Sequence, residues 1–267
     1  MLKKVVFPAP FGPNKPKISP CFTSREILFN ALIQNRKKTL TFSAASIFYT
    51  LFLLYVWTLF SETFGDILNL FPKQLQVIAG FGDDLSTAGF LNGEFMHLIG
   101  PIIVGAFGIT LGSTLIASEE ENKTIDQFLA LSISRNRYYI EKYFSLVISL
   151  IILTVIIGVT LQLGVIIYDI NLSLLNIFYA IFGLFIFGLS CGSISFLGGA
   201  IFAKNSTAAM IGAGIAILGY VLDSVYKTVN SMEFVKHISL HYYYNNNGLI
   251  VNGLDITDLS VLSLSSR

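Results

Sequence analysis

The sequence predicts an all-α integral membrane protein, a polytopic helical bundle of five complete spans plus the start of a sixth. Three observations carry this. Residues AVILMFWYC make up 54% of the 267, and mean hydropathy is +0.70. Charged residues are only 12%, about half the ~25% of a soluble domain. The apolar residues are also gathered into long runs, and ~30 Å of hydrocarbon at 1.5 Å per helical residue calls for about 20 in each. A net charge of +1 supplies no phosphate-neutralising field, which excludes a nucleic-acid binder. Cys21 and Cys191 lie far apart without a CxxC, so neither a disulfide scaffold nor a zinc or redox site is suggested.

Five of the seven prolines (Pro8, Pro10, Pro13, Pro16, Pro20) fall in the first twenty residues. They forbid a helix or a signal-peptide core there. Residues 1–23 therefore read as an extended cytoplasmic tail and 24–267 as the transmembrane domain. Over 24–38 a helix is predicted, with Glu26, Asn30, Gln34 and Lys37 forming a narrow polar stripe and Ile27, Leu28, Ala31 and Leu32 away from it. That pattern suits a helix lying on the membrane surface before Arg36-Lys37-Lys38 anchors the first span, 40–60.

The loop 61–96 carries Glu62, Asp66, Asp83, Asp84 and Glu94 against Lys73. It reads as a cation-collecting vestibule or, the favoured reading, as acids left outside when bases are kept inside. An interfacial helix is expected around residues 75–78. The second span is placed at 97–117, the third at 144–168, the fourth at 174–203 and the fifth at 206–226. The fourth is long and Gly-rich, so a tilt or bend is expected near Gly198-Gly199. The run from Leu259 to Arg267 is too short to span and reads as a sixth helix cut at its start.

Counting Lys and Arg loop by loop sets the orientation. Eight precede the first span, four (Lys123, Arg135, Arg137, Lys142) follow the second, and Lys204 follows the fourth. The opposite side receives Lys73, Lys227 and Lys236. Thirteen against three predicts a multi-pass protein of the cytoplasmic membrane with its N-terminus in the cytoplasm.

The cytoplasmic loop 118–143, SEEENKTIDQFLALSISRNRYYIEKY, is the one dense patch of chemistry. Thr124 and Gln127 have the spacing of a capping box, and Ile125, Phe128 and Leu129 repeat at i, i+3, i+4 to give a short helix with one apolar edge. Asp126 lies in its first turn. Glu119, Glu120 and Glu121 oppose the dipole at the end of the second span but favour the start of the helix that follows. Tyr138, Tyr139 and Tyr143 read as an interfacial belt. A compact charged helix between two spans can dock a soluble partner, or can be a well-capped solvated loop; the residues alone leave both open.

This stretch resembles the loop of ABC-2-type transporter permeases, whose pattern runs roughly Glu-Glu-x-Gly-Thr-Leu, several Leu, then Pro-[Val/Ile]-Ser-Arg. Glu120-Glu121-Asn122-Lys123-Thr124-Ile125 matches except for Lys123 in the Gly place, and Ser132-Ile133-Ser134-Arg135 except for Ser132 in the Pro place. The likeness runs from about Arg25 onward and includes Ile238, Ser239, Tyr242 and Tyr243 after the fifth span. It implies the permease subunit of an ATP-driven transporter, read as an exporter, working with a separate ATP-binding cassette ATPase subunit and a second permease subunit in membrane lipid. It also implies six spans. Glu119, Glu120, Glu121, Thr124, Asp126, Phe128, Ser134 and Arg135 become the residues expected to couple to the ATPase. The rival reading is a non-transporting membrane protein, such as an immunity or assembly factor, that docks a partner by the same loop.

Gly108-x-x-x-Gly112 and Gly188-x-x-x-Gly192 place small residues on one face of the second and fourth spans and permit close helix approach, within the chain or across a dimer. Gln162, Asn176 and Asp223 are the polar groups in or near the spans that need partners. Gln162 and Asn176 are candidates for polar spots on a path, with interhelical bonding the favoured alternative for Gln162. Metal binding at His237 or His241 would need a third ligand that the sequence does not place, so these histidines and Tyr242–Tyr244 read as an aromatic belt, with no metal and no cofactor. No GxxxxGK[ST] occurs, so ATP hydrolysis by P-loop chemistry is not this chain's own, and no catalytic residue is expected.

Overall fold

A computed structural model describes residues 24–81, 86–122, 134–170, 172–228, 239–245 and 250. Every regular element among them is helical. Helix α1 covers Ser24–Phe60, and the short helices α2 (Phe64–Asn69) and α3 (Lys73–Ile78) follow. Helix α4 (Thr87–Leu91) runs through a π-helical stretch, Asn92–Ile99, into α5 (Gly100–Glu121). Then come α6 (Arg135–Ile167), α7 (Leu174–Phe202), α8 (Asn205–Thr228) and α9 (Leu240–Asn245). Five helical stretches, within α1, α4–α5, α6, α7 and α8, are long and apolar enough to cross a bilayer. The chain is an all-α polytopic membrane protein. The tail 1–23 and the stretch from Leu259 lie outside the described residues.

The structure alters three expectations. The surface helix over 24–38 and the first span are one unbroken helix, α1. The reason is local: no Gly or Pro interrupts Ser24–Phe60, and Lys38 reaches across to donate to Thr114 Oγ1 of α5 at 2.8 Å. The second span does not begin at His97; its helix starts a full two turns earlier, through the π-helical stretch. The fourth span is continuous through Gly198-Gly199, since α7 stays helical to Phe202, and its end is altered by one residue, at Ala203, which turns left-handed, φ +54°. The interfacial helix expected near residues 75–78 is α3.

Inside lipid, no hydrophobic gain draws one apolar helix to another, so close packing must do it. The α5–α7 seam supplies this. A Cβ on Gly108 would run into the carbonyl oxygen of Gly188, and one on Gly112 into that of Gly192. The two Gly-x-x-x-Gly motifs thus pack on each other within one chain, and because 108 faces 188 and 112 faces 192, the helices run the same way. Of the window in each span, 61% is buried for α4–α5 and 22% for α8, so α5 is the hub and α8 the rim. Met210, Ile217 and Leu218 of α8 face outward, an apolar surface suited to lipid. Hydroxyls within the spans bond back one turn, Ser46 to Phe42 O and Ser149 to Ser145 O at 2.7 Å, Thr154 to Leu150 O at 2.9 Å, which satisfies them without water.

The bundle has two distinct ends. At the connector end lie the last turn of α5, the start of α6 and the start of α8. At the cap end lie α2–α4, the π-helical stretch, the end of α8 and α9.

Candidate functional site

Polar groups that join helices gather at these two ends. At the connector end, Glu119 in the last turn of α5 forms a hydrogen-bonded ion pair with Lys142 of α6, the side chains 13% and 5% exposed. Lys142 also stands 5.6 Å over the Tyr138 ring. Two residues on, Glu121 Oε1 accepts from the backbone N–H of Asn205, the first residue of α8, at 2.9 Å. A carboxylate there meets both an orphan N–H and the positive end of the α8 dipole. The last turn of α5 is therefore tied to two neighbours by charge.

Ser134 caps α6. Its backbone is extended and its hydroxyl accepts from Arg137 N at 3.4 Å, as an N-cap serine should. Ser134 and Arg135 are exposed. Of the residues expected to couple to an ATPase, the structure brings Glu119 and Glu121 into contacts within the chain, leaves Glu120 half-exposed beside them, and sets Ser134 and Arg135 at the start of α6. Thr124, Asp126 and Phe128, with the capping box, lie outside the described residues.

The tyrosine belt needs correcting. Tyr138 is 1% exposed, and Tyr143 shares a 2.9 Å hydrogen bond with Ser193 of α7. Both face into the bundle, where phenol oxygens can find partners on other helices. Of the path candidates, Asn176 donates to the Ile250 carbonyl at 3.1 Å and so holds a later segment. Gln162 is half-buried on α6, its Oε1 without a hydrogen-bond partner among the described residues.

At the cap end, His97, Asp223 and His241 come together, 1%, 0% and 3% exposed. Their nitrogen and carboxylate atoms lie within 4.8 Å of one another. His97 comes from the π-helical stretch, Asp223 from α8 and His241 from α9. Ser239 fixes α9 in place: its hydroxyl donates to Gly219 O of α8 at 2.6 Å and accepts from Tyr242 N at 3.0 Å. The Tyr220 ring lies 5.6 Å from that of His97 and 5.3 Å from that of His241. Burial, then His97 and Lys227, hold His241 well below the usual histidine range, so its imidazole is neutral. The belt expected from His241 and Tyr244 is instead interior, and His241 has the neighbours that its own stretch of sequence lacks. Only Asp223, an ionisable group in an apolar span, signalled this beforehand; the spacing of 97, 223 and 241 carries no motif. Beside the cluster, a cavity of about 530 Å³ is lined by Phe64, Leu68, Phe71, Gln76, Glu94 and Tyr220, among others.

The two ends can do different things. At the connector end, one acidic turn joins three helices, α5, α6 and α8. The cap end holds nitrogen and oxygen donors in an aromatic enclosure. The family model described as ABC-2 family transporter protein matches residues 27–244. No curated protein and no solved structure matches the chain.

Proposed function

The chain belongs to the ABC-2 transporter family, and from that premise we propose that it is the permease subunit of an ATP-driven exporter that couples to a separate ATPase through residues 118–143. The observation that carries the coupling is the pair of contacts from one turn, Glu119 to Lys142 of α6 and Glu121 to Asn205 of α8. A partner that displaces this turn acts on α5, α6 and α8 together, and through Lys38–Thr114 on α1. Two permease subunits enclose the path. The ATPase, on closing over ATP, favours one arrangement of the spans over the other, and the shift is only as large as its difference in affinity for the two. A swing from 1:99 to 99:1 takes about 5.5 kcal/mol.

The connector end is cytoplasmic in this reading, supported by its share of the thirteen basic residues. A cysteine replacing Asn122 should then resist an impermeant thiol reagent applied outside, while one replacing the exposed Leu70 reacts.

The coupling test separates acids that hold the bundle from those left for a partner. Glu120→Gln and Arg135→Gln, each co-expressed with the neighbouring P-loop ATPase, should leave membrane levels intact but lower ATPase co-purification and stimulated ATP hydrolysis several-fold. If both variants bind and stimulate the ATPase as the parent does, residues 118–143 are a solvated connector and the coupling proposal fails.

A further inference from the structure

We propose that His97, Asp223 and His241 form a binding site for a divalent first-row transition ion, with zinc as its natural probe, stapling α9 to the cap ends of α5 and α8. The geometry is the first reason. Two donors 2.0–2.1 Å from a tetrahedral zinc stand about 3.3 Å apart, and His97 Nδ1 and His241 Nε2 are 3.4 Å apart. The Asp223 carboxylate lies within the same 4.8 Å set, so three donors from three segments gather around one position.

The carboxylate is the second reason. Asp223 is fully buried, and apart from Lys227 its oxygens have no hydrogen-bond partner among the described residues. Lys227 Nζ lies 2.9 Å from Oδ2 and is the carboxylate's charge partner among the described residues. A buried carboxylate needs a compensating charge; Lys227 supplies one in the metal-free protein, and a cation between the carboxylate and two imidazoles would supply another.

The surroundings are the third. The rings of Tyr220, Phe187 and Tyr244 stand 5.3, 6.0 and 5.7 Å from that of His241 and fix its orientation. His97 sits in a π-helical stretch, a distortion that occurs often at functional sites. Gly80, at φ +83°, leaves the space that the His97 ring fills, since a Cβ there would strike it. Imidazole and carboxylate suit zinc and its neighbours in the first row, whereas magnesium and calcium prefer oxygen alone.

Lys227 gives the proposal a distinctive sign. Its ammonium is drawn to the same carboxylate that a metal would need, and its side chain is 19% exposed. It competes with the ion. Removing it should therefore tighten binding, whereas removing a ligand weakens it.

The test uses the full chain purified with its ATPase partner, stripped with a chelator and titrated with zinc alone. One zinc per chain should bind, raise the unfolding temperature, and not be displaced by millimolar magnesium or calcium. Cobalt in its place should give the visible absorption of a four-coordinate site. Asp223→Asn and His241→Gln should each weaken zinc binding by roughly 100-fold or more, beyond what is usual for losing a residue that only orients a ligand. Lys227→Gln should tighten it several-fold, and His237→Gln should leave it unchanged. Lys227→Gln keeps the test decisive if a ligand variant fails to fold. Absence of stoichiometric zinc in the parent protein, or zinc indifferent to Asp223→Asn, His241→Gln and Lys227→Gln, would overturn the site.

Discussion

The two ends of the bundle solve the same problem by opposite means. Each must join helices that lipid gives little reason to associate. The connector end uses charges: the buried pair of Glu119 with Lys142, and the exposed Glu121 with the first N–H of α8. The cap end buries its polar groups among rings: Trp57 lies 4.8 Å from Phe90 and Phe64 5.3 Å from Phe90, with the histidines enclosed behind them. The exposed Glu121 link can be remade as helices shift, because solvent covers the groups while they are parted. A close-packed aromatic enclosure has no such intermediate. The difference suits the connector end to motion and the cap end to holding its shape.

Lys142→Met removes the most buried cation of the connector end and should have the largest effect. Glu119 would be left without its cation, and truncating one partner of a buried pair costs about 3–5 kcal/mol. Unfolding in detergent measures the loss. The double change Glu119→Gln with Lys142→Met should recover most of it, since removing both partners leaves no stranded charge. Failure of the double change to recover would mean that packing of the lysine stem, and not charge, joins α5 to α6.

Gly80→Ala probes the cap end and should cost about 1–3 kcal/mol. It combines a left-handed backbone angle with a methyl group driven into the His97 ring. Its cost should not change between low and high salt. A negligible cost would show that the enclosure yields, which breaks the contrast.

The smallest effect is expected of Glu121→Gln. The side chain is exposed and acts on a helix N-terminus, a contribution of about 0.3–1 kcal/mol that salt screens. Unfolding temperatures at low and high ionic strength should converge for this variant and the parent as salt rises. A loss as large as that of Lys142→Met would make the α5–α8 link as rigid as a buried pair.

The sequence by itself determined what depends on runs and near neighbours. Five spans follow from the length of apolar stretches, because the hydrocarbon thickness sets a minimum that no tertiary contact can shorten. The family likeness rested on contiguous residues around Glu120–Arg135. The small-residue faces of the second and fourth spans were legible because i and i+4 share a helix face whatever surrounds them. The sequence could not say which glycine meets which, since that requires the relative direction and depth of two helices. It read Glu119–Glu121 as free for a partner, while the fold engages the first and last within the chain, the last with an N–H that exists only because α8 begins beside α5. It set His241 in a surface belt, while the fold places it against residues 144 and 18 positions earlier. Such contacts between distant residues leave no periodic trace in the chain, and only the packing of α5, α8 and α9 brings them within bonding distance.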